Sequence, residues 1–217
     1  PLKGATPAAR QSRFRGVRLV LSEASIDMSD DKTPLLSARD LSVRFGGVLA
    51  VNKVSFDVQR GEVFTLIGPN GAGKTTVFNL ISRIYTPTTG TLHFEGQLLS
   101  DKPPHDIAAL GIARTFQNIE LFENATVLQN LLIGHHIHRG AGFWSNLFFT
   151  KATRQVELDA RLRAEQVIEL LDLQHYRDTF VAGLPYGKRK VVELARALCT
   201  GPKLLLLDEP SSGLNVE

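Results

Sequence analysis

Sulfur is almost absent from this chain, and that narrows its chemistry at once. Among 217 residues there is one cysteine, Cys199, and one methionine, Met28. A lone cysteine excludes a disulfide framework and suits a reducing compartment. Cys199 itself reads as a small buried apolar side chain. No apolar run approaches the about 18 residues of a membrane-spanning helix. Residues 1–27 lack the long apolar stretch of a secretory signal. A strong net charge is missing too: the formal balance is +3. Five cations (Lys3, Arg10, Arg13, Arg15, Arg18) against Glu23 and Asp27 place all of it in residues 1–27, so the rest of the chain is neutral. A neutral body argues against a nucleic-acid partner, which would call for a basic face.

What remains is an ordinary globular composition, 43% hydrophobic and 22% charged. Met28 is followed by Ser-Asp-Asp-Lys-Thr-Pro, a polar lead-in, and reads as a natural start with residues 1–27 extra. Residues 1–34 are therefore read as a disordered tail and lead-in.

Gly68 to Thr76 reads GPNGAGKTT, which matches the phosphate-loop pattern G-x-x-x-x-G-K-[ST]. Its residues are Gly68, Pro69, Asn70, Gly71, Ala72, Gly73, Lys74, Thr75 and Thr76. Glycines there let backbone N–H groups turn toward a phosphate chain. Lys74 can reach the β- and γ-phosphates, and the Thr75 hydroxyl can ligate Mg²⁺. The context fits: Glu62 to Ile67 reads as a buried strand, and a helix follows the loop, adding partial positive charge at its N-terminus.

Residues 35–67 are β-rich. Leu41, Val43 and Phe45 alternate with polar residues, as do Val54, Phe56 and Val58. Thr91 to Leu99 reads as a hairpin turning at Glu95-Gly96, and Ile112 to Phe116 as a short strand. Helices follow: Val127 to His135 with Thr126 as N-cap, Ala152 to Leu173 with Ala164, Val167, Ile168 and Leu171 on one face, and Gly187 to Leu198. Lys203 to Leu207 then reads as a buried strand. The sum is a nucleotide-binding α/β core with an inserted helical subdomain over about residues 119–198.

That last strand ends in Asp208-Glu209. In α/β sheets ligands sit at the carboxyl ends of strands. Asp208 is suited to hold Mg²⁺ through its water shell, since hard cations prefer oxygen ligands, and Glu209 can polarise a water for attack on the γ-phosphate. Either carboxylate alone could be a strand-end helix cap. Gln117 follows another strand and has an amide able to sense both metal and water. The stretch Leu184 to Lys190 is a turn running into a helix N-terminus that could bind phosphate.

In this order the motifs resemble the ATP-binding cassette (ABC) ATPases. GPNGAGKTT looks like the Walker A motif, Gln117 in RTFQ like the Q-loop, and LLLLDEP like Walker B. LPYGK stands in the place of the signature and Ser212-Gly213-Leu214-Asn215 in that of the D-loop. Phe45 matches the aromatic that stacks on adenine, although a strand aromatic is also read as core. RFGGVLAVNKVSF, RTFQNIELFENATVLQNLLIGHH, the helical insert with Gly142-Phe143-Trp144, Tyr186 and GLN further resemble the branched-chain amino acid uptake ATPases.

The resemblance implies a P-loop NTPase fold with an antiparallel β subdomain, ATP and Mg²⁺ as cofactors, and an importer ATPase. Lys74, Gln117 and Glu209 are then catalytic, and Thr75, Gln117 and Asp208 hold the metal. The phosphate loop, Phe45, Tyr186 and Gly187 bind nucleotide. The implied partners are a second ATPase subunit, membrane permeases and, indirectly, a solute-binding protein, at the cytoplasmic face of the membrane.

Three features depart from the family. Pro185 stands where serine is usual and brings neither a hydroxyl nor an N–H. Lys188 replaces the usual glutamine, and its charge offers partial compensation. No switch histidine follows Walker B before Glu217, so the domain reads as truncated after the D-loop. His135, His136 and His138 lack a fourth zinc ligand and read as a solvated helix end. The alternatives are a catalytically weak ATP-binding module of the same fold, or an ABC ATPase for another solute.

Overall fold

The computed structural model describes residues 12–14, 17–19, 21–24, 33–115, 120–134 and 151–208. The chain divides into two units, Pro1–Ile107 and Ala108–Glu217.

In the first unit, short strands β1 (Ser12–Phe14), β2 (Val17–Leu19) and β3 (Leu21–Ala24) stand in the stretch read from sequence as a disordered tail. β1 pairs with β2, and β3 runs antiparallel to the later strand β6 from Leu21↔Leu66 to Ala24↔Val63. That pairing gives the backbone groups of β6 partners that the motif reading did not foresee.

β4 (Leu36–Phe45) and β5 (Val48–Val58) form a long hairpin across Gly46-Gly47, and β7 (Thr89–Phe94) and β8 (Gln97–Leu98) complete a sheet of order β5-β4-β7-β8. All its pairings are antiparallel, as the alternating pattern predicts. Leu41, Val43, Val54, Phe56 and Val58 are buried. The β7–β8 turn has Glu95 at φ 49° and Gly96 at φ 75°, both in the left-handed region that a two-residue hairpin turn uses. At Gly90, φ is 90°, and a Cβ there would collide with the backbone oxygens of Asp40 and Arg39. Only glycine allows β7 to pass the irregular stretch of β4 between Arg39 and Ser42.

β6 (Val63–Leu66) leads through the phosphate loop into α1 (Lys74–Ile81). The strand is not buried as its sequence suggested: Val63 and Ile67 are exposed. One face is covered, where Phe64 stacks on Phe56 with centroids 5.1 Å apart. α1 is anchored by buried Val77, Leu80 and Ile81.

In the second unit, β9 (Ile112–Thr115) lies parallel to β10 (Leu204–Leu207), with Ile112↔Leu204 through Thr115↔Leu207 in register. Parallel neighbours need a long crossover. Here it carries α2 (Val127–Gly134), α3 (Lys151–Leu170) and α4 (Tyr186–Cys199). β10 departs from the buried strand expected: Leu206 is buried while Leu207 is exposed. Among the described residues β9 is its one strand neighbour.

The helices pack as their patterns require. Val127, Leu131, Ala164, Ile168, Val192 and Ala195 meet in one core. Thr126 caps α2 as read. Its Oγ1 accepts from Gln129 N at 3.2 Å, and Gln129 Oε1 accepts from Thr126 N at 2.8 Å, a reciprocal capping box. α3 stops short of the Leu173 expected. Asp172 adopts φ 54°, and Leu173 N donates to Ile168 O at 2.9 Å. This is a Schellman turn with a left-handed aspartate where glycine is usual, and buried Leu173 closes over it.

Candidate nucleotide-binding site

The phosphate loop is built by two left-handed glycines, Gly71 at φ 81° and Gly73 at φ 87°. Between them a tight turn closes as Ala72 N donates to Pro69 O at 3.1 Å. Gly73 is the N-cap of α1, with no side-chain cap and no acidic residue in the first turn. Its carbonyl takes the first helical bond, from Val77 N at 2.9 Å. The leading N–H groups of the helix therefore keep their capacity to bind an anion. Lys74 Nζ donates to Gly68 O at 2.7 Å and Pro69 O at 3.1 Å, which folds the ammonium back over its own loop. Thr75 is exposed, whereas Thr76 is half-buried.

Phe45 ends β4 and is 43% exposed as a residue, so it is not a core aromatic. Tyr85, just past α1, meets it edge-on with centroids 4.9 Å apart.

Asp208 follows β10 and is buried. Its Oδ2 accepts from Arg114 Nη2 at 3.0 Å, with the Arg114 and Asp208 side chains 8% and 4% exposed. Because the ladder is parallel, the chain beyond Thr115 and the chain beyond Leu207 leave at the same end. Gln117 and Glu209 lie outside the described residues, as do Ser212 to Asn215.

Pro185 is the N-cap of α4 and provides no side-chain cap, so the helix opens on exposed Tyr186, with Gly187 half-buried. The basic triplet after it divides its work. Arg189 holds the turn, donating to Leu184 O at 2.9 Å and Ala182 O at 2.6 Å. Lys188 lies over the Tyr176 ring at 5.3 Å and Lys190 over Tyr186 at 5.6 Å.

A family model described as "ABC transporter" matches residues 51–212. The chain belongs to the ABC transporter family. As a member it is an ATP-binding, ATP-hydrolysing domain. It is similar to the high-affinity branched-chain amino acid transport ATP-binding protein BraF of Pseudomonas aeruginosa, with 42% identity over 84% of this chain and 71% of BraF. LivG of Escherichia coli, which carries the same description, is 43% identical over the same shares. Among solved structures, the ADP conformation of an ATP-binding cassette of an ABC transporter aligns with TM-score 0.68 and 33% identity, over 84% of this chain and 71% of that one. A nucleotide-free ATP-binding cassette aligns with TM-score 0.67.

For this ABC domain, sequence reasoning missed three residues. Arg114 was legible only as part of RTFQ. Tyr85 carried no signal. Asn130 is fully buried in α2, where Oδ1 accepts from Phe122 N at 2.9 Å and Nδ2 donates to Phe122 O and Thr126 O, each at 3.0 Å. A lone asparagine inside the apolar run Val127-Leu128-Gln129-Asn130-Leu131-Leu132 was its available signal.

Proposed function

We propose that this chain is the ATP-hydrolysing subunit of an importer for branched-chain amino acids. The observation that carries it is 42–43% identity, across 84% of the chain, to ATP-binding proteins of that transport class.

The loop from Gly68 to Thr76 holds the phosphate chain through its N–H groups, and Phe45 stacks on the base. Lys74 exchanges its two loop carbonyls for phosphate oxygens, an exchange of weaker acceptors for charged ones. Thr75, Gln117 and Asp208 would hold Mg²⁺. The donor set fits this ion: a hydroxyl, an amide and a carboxylate are all oxygen ligands. No cluster of three or more His, Cys, Asp or Glu exists among the described residues. Mg²⁺ is usually bound by one or two carboxylates plus phosphates, not by an all-protein cage. When bound, the ion neutralises charge on the transferred phosphoryl group. Glu209 takes the proton of the attacking water, and Gln117 orients that water.

Tyr186 and Gly187 belong to the signature and face the nucleotide of a second ATPase subunit. Permease subunits complete the transporter, with a solute-binding protein acting through them. The chain works at the cytoplasmic face of the membrane, bound to those permeases. Among the described residues no helix is long and apolar enough to cross a membrane.

The test is Glu209→Gln in the assembled transporter. ATP binding should persist while phosphate release slows by at least about 10²-fold and leucine uptake stops. Uptake of leucine at the wild-type rate would refute the assignment. A second reading, weak hydrolysis, is favoured by Pro185, which leaves the start of α4 without a side-chain cap. Under it, Pro185→Ser raises the hydrolysis rate.

A further inference from the structure

The register of β9 on β10 places Arg114 opposite Leu206. Side chains alternate along a strand, so Leu206 and Asp208 share one face, and Arg114 shares it with them. On that face Arg114 Nη2 donates to Asp208 Oδ2 at 3.0 Å, with the two side chains 8% and 4% exposed. Leu206 beside them is buried. A carboxylate withdrawn this far from water needs a positive partner, and Arg114 is that partner here.

The same carboxylate is the one assigned to the metal. A guanidinium held against its oxygen repels a divalent cation approaching that group, with twice the charge product of a simple ion pair. A hydrogen bond that orients the carboxylate would act in the opposite direction, but its net worth is that of a single bond. At this burial the charge effect is the larger.

Resting on the reading of Asp208 as a metal-holding acid, we propose that Arg114 is its internal counterion, which Asp208 must exchange for Mg²⁺. Arg114 thereby sets how much Mg²⁺ the site needs. Without metal and nucleotide the two charges offset each other across the Arg114 Nη2–Asp208 Oδ2 contact, and Asp208 changes partner only when metal and nucleotide arrive together.

The experiment titrates Mg²⁺ against equilibrium binding of a fluorescent, non-hydrolysable ATP analogue. It compares the wild-type full chain with Arg114→Gln, Arg114→Lys and Asp208→Asn. Glutamine keeps an N–H donor for Oδ2 but removes the charge, whereas lysine keeps the charge. Arg114→Gln should lower the Mg²⁺ half-saturation by about tenfold, the order of one removed charge repulsion at a partly screened site. Arg114→Lys should stay close to the wild type. An unchanged or raised half-saturation in Arg114→Gln, with Mg²⁺ dependence weakened in Asp208→Asn, overturns the proposal and leaves the role of Asp208 standing. If Asp208→Asn keeps the full Mg²⁺ dependence, the reading of Asp208 itself fails. A measurement on the wild type guards against a misfolded variant. The guanidinium protons of Arg114 should exchange slowly with water in the free chain and rapidly once Mg²⁺ and analogue are bound. Protection that survives saturation overturns the proposal.

Discussion

The rings of Phe45 and Tyr85 meet edge-on at 4.9 Å, with an interplanar angle of 68°. Both stay open to solvent, at 43% and 37%. An exposed aromatic held by one edge contact keeps a face free for stacking. Tyr85 is placed for this by its own backbone, whose N–H donates to Asn79 O at 3.1 Å. Phe45→Ala should weaken ATP binding by about tenfold, the lower end for a lost base–aromatic stack. Tyr85→Ala should do the same to a smaller extent. Inorganic triphosphate, which has no base, should bind equally to all three proteins. Competition assays with ATP and triphosphate decide it, and equal losses for both ligands would rule out base stacking.

Lys74 spends its charge on two loop carbonyls, Gly68 O and Pro69 O. Lys74→Ala should therefore weaken nucleotide binding by at least about tenfold, the scale of a hydrogen bond to a charged group. Phosphate release should fall to background. Calorimetric titration and a phosphate assay check both. Unchanged affinity and turnover would remove Lys74 from the site.

Asn130 ties the start of α2 to the segment leading into it. Removing its amide leaves Phe122 N and Phe122 O without their side-chain partner, while Thr126 O keeps its helical bond from Asn130 N. Asn130→Ala should cost about 2 kcal/mol or more, since unsatisfied buried groups cost about 1–3 kcal/mol each. Asn130→Asp should also destabilise, because a carboxylate cannot donate to two carbonyls. Denaturant midpoints measure both, and a loss as small as that of an exposed α3 substitution would contradict the buried network.

Burial pushes the Cys199 thiol up to about 12 from its ordinary 9.0, against a smaller opposing effect of Arg163. The folded chain thus keeps a proton that the unfolded chain has already lost above pH 9. The stability associated with this thiol is full below about pH 9 and is lost as the pH rises toward about 12. Unfolding free energy measured at pH 7 and pH 10 should fall more in the wild type than in Cys199→Ala. Thiol reagents should label Cys199 only on unfolding. Rapid labelling of the native chain at pH 8 would contradict the burial.

What the sequence determined alone is what lies close along the chain. The phosphate loop, the Gly46-Gly47 and Glu95-Gly96 turns and the Thr126–Gln129 capping box each depend on residues within one turn or loop. Backbone stereochemistry fixes them locally. Tertiary structure decided the rest. Arg114 and Asp208 are 94 residues apart and meet only because a register brings Arg114 opposite Leu206. Asn130 is a core residue because the segment from Phe122 to Thr126 folds over it, which no helical period announces. β6 and β10 read as buried strands by composition, yet Val63 and Leu207 are exposed. Apolar content states what a strand would gain from cover, while the neighbours that supply the cover are set by the fold around it.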